Sequence, residues 1–166
     1  MRNIFIAILG SILLFSCSRV TYYVVRHAEK ETQNANMSSD VPLSEIGKER
    51  AVALKEELKN KKIGYVFSTN TIRTRTTAAP TAEYFNLPVQ LYGPMPQDTF
   101  ITRLRSLKRN VLIVGHSNTV DDVVNKLCAE NKLQDLQDSE YDNLFIVTKK
   151  GDKFIFSQKK FGVVSN

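Results

Sequence analysis

Short apolar runs rich in β-branched and aromatic residues recur along this chain at Val20 to Val25, Ile63 to Phe67, Val89 to Tyr92 and Val111 to Val114. Each is followed by a segment whose apolar residues repeat at helical period. These segments are Ser44 to Lys59, with Ile46, Ala51, Leu54 and Leu58 inward, then Thr71 to Phe85, Thr99 to Leu107 and Ser117 to Leu127. Strand alternating with helix builds a parallel sheet covered on both faces, because a parallel strand pair needs a crossover connection. Near the C-terminus, Leu144 to Thr148 and Phe154 to Ser157 flank Lys149-Lys150-Gly151-Asp152, a turn-like break that predicts a hairpin closing one sheet edge. The expected fold is α/β, a three-layer α/β/α sandwich with a mainly parallel sheet. No repeat and no long Pro/Gly/Ser linker divides residues 20–166, so one domain is expected. With 42% hydrophobic and 24% charged residues the chain can bury a core, which excludes collagen-like, low-complexity and wholly disordered classes.

The first residues follow another plan. Arg2 supplies a positive start, Ile4 to Phe15 an apolar run, and Ser16 a small residue before Cys17. The run is shorter than the roughly 20 residues needed to span a bilayer as a helix. Leu14-Phe15-Ser16-Cys17 resembles the lipobox of bacterial lipoproteins, with bulky Phe15 a departure. That resemblance implies a signal peptide over 1–16, lipid attachment at Cys17 and a short linker over 17–19. It further implies export and membrane anchoring, periplasmic in location. A plain signal peptide cut elsewhere, or a buried N-terminal strand, is the alternative. Cys128 is then the one remaining cysteine, either a reactive thiol or a small buried hydrophobe in the pattern Val123-Val124-Leu127-Cys128.

The two histidines of the chain each follow a predicted strand directly, in Val24-Val25-Arg26-His27 and Ile113-Val114-Gly115-His116. Open α/β sheets bind ligands at the carboxyl ends of their strands, so the two can converge on one crevice. A third strand ends at Phe67 and leads into a helix carrying Arg73 and Arg75. These arginines lie about 200° apart around a helix, so they cannot share a pocket, and Arg75 is expected in solvent. Two guanidiniums with two imidazoles form a cationic cluster whose natural complement is a phosphoryl group. The helix start at Ser117-Asn118 adds backbone N–H donors. A neutral imidazole can attack phosphorus and divide phosphoryl transfer into two steps. No carboxylate cluster at ligand spacing accompanies the histidines, so neither metal nor cofactor is expected.

These residues resemble a known family. Arg26-His27-Ala28-Glu29 is similar to the Arg-His-Gly-Glu signature of the histidine phosphatase superfamily, which includes phosphoglycerate mutases and small phosphohistidine phosphatases. Leu43-Ser44-Glu45-Ile46-Gly47-Lys48-Glu49-Arg50-Ala51 resembles its Leu-Thr-x-x-Gly-x-x-Gln-Ala helix start. Ser68-Thr69 followed by Arg73-Thr74-Arg75-Thr76-Thr77-Ala78 resembles its Ser-x-x-x-Arg-x-x-x-Thr-Ala, and Gly115-His116-Ser117 its late Gly-His. The resemblance spans about residues 20–128. It implies a phosphoglycerate mutase-like fold, His27 as the nucleophile, and Arg26, Arg73 and His116 as the phosphate clamp. Ala28 in place of Gly requires negative φ there, and Arg50 in place of Gln is expected on the exposed face. The general acid is open: Asp98 is one candidate, with a helix N-cap as its alternative role, and Glu29 is a second that can equally orient its loop.

Little sequence remains for a lid, which favours hydrolysis over mutase chemistry. The expected activity is metal-independent hydrolysis of phosphomonoesters or phosphoramidates through a phosphohistidine on His27. A non-catalytic phosphate or phosphopeptide binding lipoprotein is the alternative. Partners would be a phosphorylated small molecule or phosphoprotein and the membrane, not nucleic acid. With so short a linker, the active site is expected to face away from the bilayer.

Overall fold

The computed structural model describes residues 19–33 and 40–165. The expected signal segment 1–16 and the lipid attachment at Cys17 lie outside these residues. The elements run β1 (Val20–Arg26), α1 (Glu45–Leu58), β2 (Ile63–Ser68), α2 (Ile72–Tyr84), β3 (Val89–Leu91), α3 (Asp98–Ser106), β4 (Asn110–Gly115), α4 (Val120–Cys128), β5 (Asn143–Lys150) and β6 (Lys153–Lys160). They form a six-stranded sheet in the order β3-β2-β4-β1-β5-β6.

β3, β2, β4 and β1 pair in parallel, whereas β5 is antiparallel to both β1 and β6. The sheet is mixed, and the expectation of a mainly parallel sheet fits only its β3-β2-β4-β1 part. The reason lies after α4. That helix carries the chain away from the carboxyl ends of the parallel strands, and residues 129–142 bring it back before β5 begins. β5 can then only run the other way, Phe145 opposite Val24 and Lys149 opposite Val20. Gly151, at φ 61°, takes the left-handed conformation that turns β5 into β6.

β1 is buried along its whole length, and its alternation divides the core in two. Tyr22 and Val24 pack with Ile101 and Leu104 of α3 and Val123, Val124 and Leu127 of α4. Tyr23 and Val25 pack with Leu54 and Leu58 of α1 and Ala78 and Ala82 of α2. Helices thus cover both faces of the sheet, giving three layers. Among the described residues every strand and both clusters lie between residues 20 and 161, where they pack against one another on both faces of the sheet. Ile46, expected inward, is 60% exposed, because α1 buries the stripe Gly47, Arg50, Ala51, Leu54 and Leu58 instead. Cys128 is partly buried against the α3/α4 cluster, and burial raises its thiol pKa.

The starts of α1 and α2 are fixed by side-chain caps. Ser44 Oγ accepts from Gly47 N at 3.1 Å, and Thr71 and Thr74 cap each other reciprocally. Gly47 also brings α1 against the loop after β1, since a Cβ there would sit 2.1 Å from the Glu29 carbonyl oxygen. A helix turn pressed on backbone cannot yield as a flexible side chain would. Gly47→Ala is therefore expected to lower unfolding free energy by about 2–3 kcal/mol, read as a lower urea midpoint.

Candidate active site

The carboxyl ends of β1 and β4 and the first turn of α2 converge on one cavity, lined by Arg26, His27, Arg73 and His116. The four residues expected to form the site are brought together. Lys30, Ser117, Asn118, Asp138 and Tyr141 complete the lining. α4 begins at Val120, three residues later than the sequence pattern predicts, and Ser117-Asn118 form the turn leading into it.

His27 leaves β1 and is held by its own backbone, its N–H donating to Gly115 O at 2.8 Å. Its Nδ1 lies 2.7 Å from Ala28 O. A carbonyl only accepts, so Nδ1 carries the hydrogen and the lone pair is on Nε2. Burial, and then the charges of Arg26 and Arg73 together with His116, push the His27 pKa down to about 3. The neighbouring His116 ring lies 5.4 Å away, nearly edge-on. Its Nε2 is 2.9 Å from Thr69 Oγ1, which donates to Thr74 Oγ1 at 3.1 Å, which in turn donates to Thr69 O at 2.8 Å. With the Thr69 hydrogen so used, His116 Nε2–H is the donor. Burial followed by Arg73 and Arg26 lowers its pKa to about 4. Both imidazoles are neutral at pH 7.

Arg26 is 6% exposed and clamped by chain that arrives late in the sequence. Its Nη1 donates to the carbonyls of Gln137 at 2.9 Å, Asp138 at 3.1 Å and Glu140 at 3.3 Å. Its guanidinium stacks 4.1 Å above the Tyr141 ring. Arg26 Nε, by contrast, is buried with no partner among the described residues. Arg73 faces the same cavity with Nη1 3.6 Å from Asp40 Oδ1, and Arg75 is exposed.

Neither candidate acid lines the cavity. Glu29 is held by Arg50, whose Nε and Nη2 donate to its carboxylate at 2.5–2.9 Å. Arg50, expected in solvent, is 4% exposed, and its Nη1 also donates to the carbonyls of Phe161 and Val163. It stays buried because Glu29 neutralises it and backbone satisfies the rest of its fork. Asp98 lies in the first turn of α3, one residue past the cap position, and its carboxylate is held low by the Lys126 ammonium, 2.9 Å away near the far end of α4. Ala28 meets its backbone requirement. It is not among the residues with positive φ, and its N–H donates to Thr77 Oγ1 at 2.9 Å.

Tyr141, Lys30, Asp138 and the Thr69–Thr74 relay were not legible as site residues. Tyr141 had one usable signal, its place just before a strand that starts at the carboxyl end of the sheet.

Residues 22–93 match the family profile described as the histidine phosphatase superfamily (branch 1). No curated protein sequence matches significantly. Among solved structures, a protein histidine phosphatase SixA complexed with tungstate superposes with a TM-score of 0.66 at 19% identity, covering 84% of this chain and 96% of that one. A phosphoserine phosphatase from Entamoeba histolytica in complex with phosphoserine gives 0.61 at 12%, covering 86% and 96%. A phosphoglycerate mutase from Bacillus anthracis gives 0.60 at 16%, covering 86% and 93%. The fold is that of phosphoglycerate mutase-like structures.

Two outcomes are expected. Arg50→Met takes the guanidinium away from Glu29, and is expected to cost about 3–5 kcal/mol in denaturant unfolding. The histidines set the second. Their folded pKa values lie below the unfolded value of about 6.5, so unfolding takes up protons as pH falls through that value. Their stabilisation is complete above pH 6.5 and declines toward pH 4, so the thermal midpoint is expected to fall between pH 6.5 and 5, and to fall less in His27→Asn.

Proposed function

We propose that this chain is a metal-independent histidine phosphatase in which His27 Nε2 attacks phosphorus. The observation that carries the reading is the convergence of a buried, neutral, correctly tautomeric imidazole with Arg26, Arg73 and His116 on one cavity. The P–O or P–N bond to the leaving group breaks as the Nε2–P bond forms. Water then attacks the phosphohistidine, releasing inorganic phosphate and restoring the Nε2 lone pair. Arg73 and the Nε of Arg26, which has no partner among the described residues, supply donors for the equatorial oxygens, where charge develops.

The leaving group sets the preference among substrates. Among the described residues Asp138 is the carboxylate lining the cavity, solvent-exposed and 3.9 Å from the Arg26 guanidinium, while Asp40 stands beside Arg73. A phosphoramidate such as phosphohistidine leaves as a nitrogen base and draws little on an enzymic acid, whereas an alkyl ester leaves as a costly alkoxide. The reading therefore favours phosphohistidine, on a protein or peptide, over alkyl phosphomonoesters. The lipobox-like Leu14-Phe15-Ser16-Cys17 supports placing the enzyme outside the cytoplasm on a lipid anchor.

The test is hydrolysis of a phosphohistidine peptide and of p-nitrophenyl phosphate by the chain from Ser18 onward, in EDTA. His27→Ala is expected to lower kcat at least about 10³-fold, and Asp98→Asn to stay within about twofold. A large loss in Asp98→Asn would restore that residue as the acid. Phosphate binding without turnover on either substrate would select the binding-protein alternative.

A further inference from the structure

The end of the molecule opposite the cavity is a basic pole, and we propose that it docks on an anionic lipid surface. The turns preceding the parallel strands gather there, tied together by Asn110, which accepts from Thr21 N at 2.9 Å and donates to Lys61 O at 2.6 Å. They carry Arg19 before β1, Lys61 and Lys62 before β2, and Lys108 and Arg109 before β4. The hairpin turn between β5 and β6 joins them, since Lys149 stands opposite Val20, and it adds Lys150 and Lys153. Arg19, Lys61, Lys62, Lys108, Arg109, Lys150 and Lys153 are all exposed, and none makes an ion pair among the described residues.

The acids nearby do not cancel this charge. Glu56 is taken by Lys55 and Lys59, Glu57 by Lys159 and Glu130 by Lys132, which leaves Glu83 at the end of α2 and Asp152 in the hairpin turn against the seven cations. The carboxyl end is arranged differently, with Arg26, Arg50 and Arg73 each facing an acid. The positive charge of the chain is therefore polarised along the strands, about 20 Å from the cavity at roughly 3.3 Å per residue of β1.

A bilayer fits this pole better than other polyanions do. Arg19 belongs to the pole and directly follows the segment holding Ile4 to Phe15 and Cys17. Ser18 and Arg19 span at most about 7 Å, so a lipid on Cys17 would bring these turns to the head groups. An acyl anchor with a basic patch is the two-signal arrangement that makes peripheral attachment stable. The docked molecule presents its cavity to the aqueous side. The anchor rests on the lipoprotein reading above, while the affinity of the pole stands on the charges alone and is tested without the anchor.

The test is co-sedimentation of the chain from Ser18 onward with vesicles of 30% phosphatidylglycerol in phosphatidylcholine, against phosphatidylcholine alone. Binding to the anionic vesicles at low salt, lost at 1 M where the screening length falls to about 3 Å, is expected. Lys61→Gln, Lys62→Gln, Lys108→Gln and Arg109→Gln together are expected to weaken partitioning at least about a hundredfold, with the unfolding midpoint and phosphatase turnover unchanged. Removing Lys48, Arg75, Arg103 and Lys159 in the same way is the charge-matched control and is expected to weaken it far less. Equal loss in the control, indifference of the parent chain to anionic lipid, or equally tight binding to a DNA duplex would overturn the proposal. Loss of turnover in His27→Ala with vesicle binding intact separates the two readings.

Discussion

A guanidinium 6% exposed must be paired or hydrogen-bonded, and the arrangement around Arg26 makes much of the rest of the fold follow. Its partners are the carbonyls of Gln137, Asp138 and Glu140 and the face of Tyr141, all from the connection between α4 and β5. To deliver them, the chain must climb back to the carboxyl end of the sheet after α4. Once there it has no way to add a parallel strand, and β5 and β6 close the edge in antiparallel fashion. The same clamp fixes the charge that lies against His27. Topology, a buried cation and the basicity of the imidazole are thus one problem with one solution.

Much of this was legible because it depends on local pattern. The β-branched runs ended within a few residues of the observed strands, and Ser44 and Thr71 acted as caps where helical period began. The placement of His27, His116 and Arg26 followed from strand ends, and the choice of Arg73 on α2 from the family resemblance. What failed depended on partners distant in sequence. Arg50 looked solvated because nothing near it announces that Glu29 and the carbonyls of Phe161 and Val163 converge on it. Glu29 looked like an available acid for the same reason. Asp98 was a candidate acid in the sequence, but α3 sets it beside Lys126 rather than in the cavity. Tyr141 had only its place before β5 to mark it, because its role depends on the reversal of that strand.

The two ends of the sheet handle charge in opposite ways. At the carboxyl end acids stand beside Arg26, Arg50 and Arg73, so the field they leave is concentrated on a small cavity. At the amino end the lysines and arginines of the turns remain unpaired among the described residues, so their field extends outward by about a Debye length, roughly 10 Å at 0.1 M salt. One field suits a single phosphoryl group and the other an extended anionic surface, and net charge of +6 alone would distinguish neither.

Under the proposed mechanism the cations also couple binding to reactivity. With the cavity free of anion, burial and the neighbouring guanidiniums hold His27 near pKa 3, which keeps its lone pair open at every ordinary pH but makes Nε2 a weak base. A phosphoryl dianion entering the same field offsets part of the positive charge, so the imidazole gains basicity as its target arrives. After attack the phosphorylated ring is stabilised by Arg26 and Arg73 through the transferred oxygens. In this mechanism the guanidiniums that add to the effect of burial in lowering the His27 pKa are therefore the groups that would hold the intermediate.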